Sequence, residues 1–286
     1  MMSASPTHVA DEASTVFGVT EGLNEPYGTY KPTALQSEVI RFVRANRIFR
    51  GAVRTRANRL VQWLRAGPID DTLVGWKFRF FPAENTGDRK AMLSPHQFDL
   101  AERDLLAQEL APNSLFLDIG SNIGVYTFSV ARSRPDVRIL SFEPSPRVFA
   151  KLSFNLRLND LESRVVAHNI ALSDAKGKMG FDLSLESLVL GTSDIDVPTE
   201  PLLSVLEKAN VTAVGAMKID VEGAEDKVLR PFFESAPFAL WPEIIIIEAV
   251  FPEQWEWNCL NFLRTSGYDE IWRGGMNIAF RKQALS

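Results

Sequence analysis

The chain of 286 residues has a single cysteine, Cys259, and so cannot build an intramolecular disulfide framework. A reducing compartment is the expectation. No apolar run approaches the roughly 20 residues that a membrane-spanning helix needs. The first residues, MMSASPTHVADEASTVFG, lack the basic start and apolar stretch of a secretory signal, so a cytoplasmic, soluble protein is expected. No internal repeat is evident. Apolar residues make up 45% of the chain, enough for a core without covalent staples.

Acidic charge is missing where basic charge is dense. Net charge is −5, yet Arg41 to Arg65 holds eight arginines and no acid. Val39, Ile40, Val43, Phe49, Val53, Leu60, Val61 and Leu64 recur there at helical spacing, and Gly51 divides the pattern into two helices. The segment either docks an apolar side with its arginines solvated, or offers a footing for an anionic surface. Stacking aromatics are not interleaved as in a nucleic-acid module.

Three regions are expected: a poorly ordered lead-in over 1–33, the arginine-rich helical extension over 34–69, and a catalytic domain over 70–286. In the last, GWKFRFF alternates as a strand, and SPHQFDLAERDLLAQEL reads as a helix capped by Ser94 with Pro95 in its first turn. Apolar strands then alternate with helices: SLFLDI, VRILSFE, RVVAHNIAL, GAMKIDV and EIIIIEAV. Such strands predict an α/β fold, a mostly parallel Rossmann-like sheet with helices on both faces. YDEIW, RGG and MNIAFRK predict a closing antiparallel hairpin.

The stretch LFLDIGSNIGVYTF spells Asp118-x-Gly120-x-Asn122-x-Gly124 across a strand-to-helix turn. A dinucleotide site wants G-x-G-x-x-G, and a buried carboxylate beside a pyrophosphate would oppose like charges. Asp118 suits a ligand that is cationic at that point. S-adenosylmethionine carries an ammonium and a sulfonium and no phosphate. Glu143, ending the next strand, is placed to accept from both ribose hydroxyls, and Asn169 to Ala171 would offer backbone groups to an adenine edge.

These stretches, with SFEPSP, NIALSD, MKIDVEGAE and IIIIE, resemble the FkbM-type S-adenosylmethionine-dependent methyltransferases over about residues 90–280. The resemblance implies seven strands with the last one reversed, and methyl transfer to a hydroxyl on a sugar or a secondary metabolite. Asp220, Glu222 and Glu248 are candidates for activating or orienting the acceptor. Asp220 also borders the cofactor. No metal is assigned, although these carboxylates are of the type that holds a divalent cation. Lys218, on the strand face of Asp220, is expected to pair with Asp118 or Asp220, with catalysis as its other reading. His96 is a loop base candidate. His168 is expected to hold a local partner, Glu225 to lie on a solvated helix face, and Cys259 to pack. The acceptor is expected to be a small molecule or glycan, with an RNA methyltransferase or a non-catalytic cofactor-binding scaffold as rivals. Oligomeric state is left open.

Overall fold

The computed structural model describes residues 22–46, 51–182, 187–189 and 195–284. They fall into two compact units, neither continuous in sequence: 1–103 with 122–132 and 146–163, and 104–121 with 133–145 and 164–286. The division does not fall at residue 70. No helix among the described residues is long and apolar enough to cross a membrane.

The first unit opens with residues 22–33, which correct the expectation of a loose lead-in for that stretch. Gly28 and Tyr30 donate backbone N–H groups to the Asp70 carboxylate at 2.7 and 3.0 Å. Residues 1–21 lie outside the described residues. Helix α1 (Ala34–Ala45) starts in a capping box, with Thr33 and Gln36 each accepting from the other's backbone N–H. The Gln36 amide also donates to the carbonyls of Val61 and Arg65 at 2.8 and 3.0 Å, tying α1 to the end of α2 (Ala52–Leu64). Gly51, at φ +47°, caps α2, so the two-helix expectation holds where described. Residues 47–50 lie outside the described set.

GWKFRFF does form a strand, β2 (Trp76–Phe80), and its antiparallel partner β1 (Ile69–Leu73) went unread. The hairpin turn puts Val74 and Gly75 at φ +45° and +87°, and a β-branched residue there hides the turn signal. The open side of β2 is closed by helix α6 (Pro146–Leu158; α3 to α5 follow) and the residue just past it. Asn155 exchanges two hydrogen bonds with the backbone of Arg79, and Asn159, one turn on, does the same with Lys77. Amides four apart on a helix thus mimic a neighbouring strand, whose groups recur every second residue.

The expected helix from Ser94 is also corrected. Ser94 ends α3 (Thr86–Leu93), which Asn85 caps by accepting from Asp88 N–H. A single 3-10 turn (Pro95–Gln97) and Asp99 at φ +48° separate it from α4 (Leu100–Glu109). Helix α5 (Val125–Ser133) completes the set, and its Phe128 ring packs edge-on to Phe78 at 5.2 Å between centroids.

The second unit holds the expected seven-stranded sheet. Its strands are β3 (Leu115–Ile119), β4 (Arg138–Phe142), β5 (Val165–His168), β10 (Ala216–Ile219), β11 (Ile244–Glu248), β12 (Tyr268–Gly274) and β13 (Asn277–Lys282). Their order is β12-β13-β11-β10-β3-β4-β5, and β13 runs antiparallel to both neighbours. On one face, Leu115, Leu117, Ile119, Met217, Ile219, Ile245, Ile247 and Phe280 alternate along the strands. They share a core with α7 (Leu202–Lys208), α8 (Glu225–Ser235) and α9 (Cys259–Thr265). Cys259 lies fully buried in it, as expected.

RVVAHNIAL is not one strand. It breaks after His168, and β6 (Ala171–Leu172) joins a separate four-stranded sheet with β7 (Gly177–Asp182), β8 (Ser187–Val189) and β9 (Ile195–Glu200).

The Asp70–Arg79 pair organises the first unit. Both side chains are fully buried, with Arg79 Nε 2.6 Å from Asp70 Oδ1, and the guanidinium also donates to the Glu25 and Pro26 carbonyls. Arg79→Ala strands a buried carboxylate and unbinds residues 22–30. Urea unfolding is expected to show a loss of about 3–5 kcal/mol.

Candidate functional site

In the second unit, the parallel register of β3 and β10 sets Asp118 beside Lys218 and Ile119 beside Ile219. Just beyond, Gly120 takes φ +74°, and a Cβ there would overlap the backbone carbonyl of Asp220. Only glycine fits. The N–H groups of Gly120 and Ser121 both donate to the carbonyl of Phe142, the last residue of β4, at 3.0 and 2.9 Å. Three neighbouring strands therefore end against one turn.

Asn122 and Gly124 continue the loop into the first unit. Asn122, at φ +48°, accepts from the Asn85 amide (3.2 Å) and from Ile123 N–H. Gly124, at φ +86°, leaves no room for a side chain, since a Cβ would sit 2.6 Å from Leu152.

Glu143 follows β4 and is buried, with one carboxylate oxygen accepting from Ser145 N–H at 2.8 Å and its own N–H donating to His168 O. The Asn169 amide donates to the carbonyls of Glu143 and Pro144 at 2.8 and 2.9 Å. Asn169 is thus a clamp on the Glu143 loop, a role its sequence position did not disclose. Ala171 is buried in the core of the small sheet, where it pairs with Thr199. The His168 ring stacks on Phe142 at 5.2 Å, its Nε2 has no hydrogen-bond partner among the described residues, and burial lowers its pKa. The expected local partner is therefore an aromatic ring.

The acids gather where β10 and β11 end. Carboxylate oxygens of Asp220, Glu222 and Glu248 all lie within 4.8 Å of one another. Lys218, almost wholly buried, places its ammonium 3.3 Å from Asp220, as anticipated, and also donates to the Ile219 carbonyl. Glu222 is exposed at φ +55° and Glu248 is buried. Burial pushes the Glu248 carboxyl up to about 9, helped by a hydrogen bond to Asp220 and by that group's negative charge, against the opposing pull of Lys218. A proton on Glu248 relieves the repulsion. The same oxygen set is close enough to hold a divalent cation.

Glu225 is not on a solvated face. It is buried at the start of α8, accepting from the N–H groups of Val221 and Gly223 (3.0 and 3.3 Å) and from the Trp255 indole (2.9 Å). Its neighbour Asp226 accepts from Glu256 and Trp257 N–H. Together they fix the loop that carries Asp220 and Glu222. The acidic first turn was the available signal, because carboxylates favour helix N-termini. His96 lies in the first unit, on the 3-10 turn with its ring beside the Gln97 amide.

The C-terminal ends of the parallel strands β3, β4, β10 and β11 thus bring Asp118, Glu143, Asp220 and Glu248 to one edge of the sheet, the edge at which open α/β sheets bind ligands. The profile of the Methyltransferase FkbM domain matches residues 118–273, more than half of the chain, and the chain belongs to that family. Among relatives, methyltransferase sdnD of Sordaria araneosa is 27% identical over 58% of this chain and 73% of its own length. Methyltransferase 1 of Beauveria bassiana is 30% identical over 41% of this chain and 58% of its own. The 31-O-demethyl-FK506 methyltransferase FkbM of Streptomyces tacrolimicus is 27% identical over 48% and 64%. Among solved structures, M. jannaschii TYW2 in complex with AdoMet matches at TM-score 0.40 and 14% identity, covering 76% of this chain and 87% of that one. That likeness is too distant to transfer anything to this chain.

The raised Glu248 carboxyl has a stability consequence. A folded-state pKa above the unfolded value of 4.5 means the folded protein holds the proton more tightly. This contribution is fully present below about 4.5 and is lost as pH rises through about 9. Chelator-treated protein should therefore lose urea stability across that window. Glu248→Gln, which cannot ionise, should flatten the decline, and equal slopes would show Glu248 already charged.

Proposed function

We propose that the chain transfers a methyl group from S-adenosylmethionine to a hydroxyl of a carbohydrate or secondary-metabolite acceptor. The observation that carries this reading is the juxtaposition at one sheet edge of a buried Asp118, a buried Glu143 and the Lys218–Asp220–Glu248 group. The acids suit a cationic ligand without phosphates, and Gly120 brings backbone close to them without a side chain in between. The name of the Streptomyces relative, 31-O-demethyl-FK506 methyltransferase, supports oxygen as the accepting atom.

The bound cofactor would supply an electrophilic methyl on its sulfonium, leaving as the neutral thioether. Glu143 would hold the ribose hydroxyls, kept in place by Ser145 N–H and by the Asn169 clamp on its loop. Asp118, beside Lys218 in the register of β3 and β10, would face the cationic end. On the acceptor side, Asp220 is the base: its side chain is 33% exposed, and its ion pair with Lys218 favours the ionised form. It would take the hydroxyl proton as the oxygen attacks the methyl in line. Glu248, carrying a proton, would donate to Asp220 and orient it, and Glu222 would reach the acceptor from solvent. His96 has no assigned part in this scheme. No step requires a metal, so turnover is expected to survive excess chelator.

Glu143→Ala is expected to weaken S-adenosylmethionine binding by about 1.5–3 kcal/mol, the scale of charge-assisted hydrogen bonds, as read by calorimetry. Unchanged affinity, or tight binding of NAD, would remove the cofactor assignment.

Asp220→Asn separates chemistry from binding. It should leave cofactor affinity nearly intact while turnover falls at least 100-fold, on the scale of general-base catalysis. Equal loss of both would make Asp220 structural. The acceptor class is read by incubating the chain with methyl-labelled S-adenosylmethionine and fractionated extract. Label in glycan or small-molecule fractions supports the proposal, whereas label in RNA, or none, supports a rival.

A further inference from the structure

Helices α1 and α2 leave a face that the described residues of the first unit do not cover. Their inward sides are spoken for by buried Gln36, Ile40, Val43, Asn58 and Val61. The outward sides carry Leu35, Phe42, Val53, Leu60 and Trp63, exposed by 60%, 61%, 38%, 43% and 80%. Leu35, Val39 and Phe42 follow helical spacing on α1, as do Val53, Ala57, Leu60 and Leu64 on α2, with Trp63 one turn beyond Leu60. The two stripes meet in a groove of about 570 Å³ between Val39, Phe42 and Val43 on one side and Val53, Ala57 and Leu60 on the other, with Glu38 and Arg56 at its lining. An apolar face this continuous on a helix pair is not ordinary surface.

Cations edge the same face. Arg41 is exposed and paired with Glu38, while exposed Arg56, at the groove, and Arg59 form no ion pair or hydrogen bond among the described residues. We infer that this face docks on an anionic phospholipid membrane, with Phe42, Leu60 and Trp63 entering the acyl boundary and Arg56 and Arg59 meeting lipid phosphates. Charge decides between occupants. A second copy of the chain would bring the same arginine-rich surface against itself, since a two-fold interface opposes identical patches. Nucleic acid offers phosphate but no apolar layer to receive Trp63 and Phe42. An anionic bilayer presents apolar interior beneath negative headgroups, and amphipathic helices of this composition lie in that boundary.

The test is co-sedimentation of the full chain with vesicles of phosphatidylcholine alone and of phosphatidylcholine with phosphatidylglycerol, at low and high salt. Binding to the anionic vesicles, weakened by salt, is expected. Arg56→Gln with Arg59→Gln should lower partitioning about 25-fold, roughly fivefold per charge, and Phe42→Ser with Trp63→Ser should lower it with unchanged salt dependence. These side chains are exposed, so circular dichroism and the urea midpoint should stay as in the parent chain. A folded parent that ignores anionic vesicles at low salt overturns the inference. So does equal binding to neutral vesicles, vesicle binding unchanged in both variants, or light scattering that shows the face buried in a dimer. Retention of RNA without vesicle binding would assign the face to nucleic acid instead. Since the readout is partitioning, it stands apart from whether methyl transfer is found.

Discussion

The second unit depends on the absence of a side chain at Gly120. There β3 turns directly under the carbonyl of Asp220, and a single added carbon would overlap that oxygen. The approach lets Gly120 and Ser121 donate to Phe142 while Asp220 donates back to Ile119, so the ends of β3, β4 and β10 are locked by backbone bonds. Every acid of the candidate site hangs from one of these ends or from the adjacent β11. Displacing the turn would part Asp118 from Lys218 and unseat Asp220.

Around that turn the site is electrostatically one-sided. Asp118, Glu143 and Glu248 are all buried, and in water-poor surroundings each charge is costly without a partner. The acids at this sheet edge are held in different ways. Glu143 accepts a backbone N–H, Asp220 takes the Lys218 ammonium, and burial pushes the Glu248 carboxyl up. The acids outside the site, Glu225 and Asp226, spend their oxygens on loop N–H groups and so make the loop rigid rather than reactive.

Much of this was legible residue by residue. The strand runs, the glycine loop, Glu143 and the KIDVEGAE stretch carry their chemistry locally, because apolar alternation and small residues at turns are dictated by neighbours in the chain. What was misread depended on partners far away in sequence. The edge of β2 is closed by Asn155 and Asn159, more than 70 residues on, which no local pattern announces. Glu225 looked solvated until Trp255, 30 residues later, came to meet it. The strand through Asn169 broke because its amide turns back to the Glu143 loop and Ala171 joins another sheet.

The sequence by itself determined the α/β class, the strands of the seven-stranded sheet in chain order, the two arginine-rich helices and the acids that end the strands. These follow from periodicity, turn chemistry and the cost of burying charge, all readable along the chain. Only the tertiary structure decided which acids share a space, which carboxyl burial raises, and which face of the helix pair the described residues leave uncovered. Each is a property of distances between residues remote in sequence: the Glu248 carboxyl is pushed up by its burial and then by Asp220, 28 positions earlier, which stands beside it.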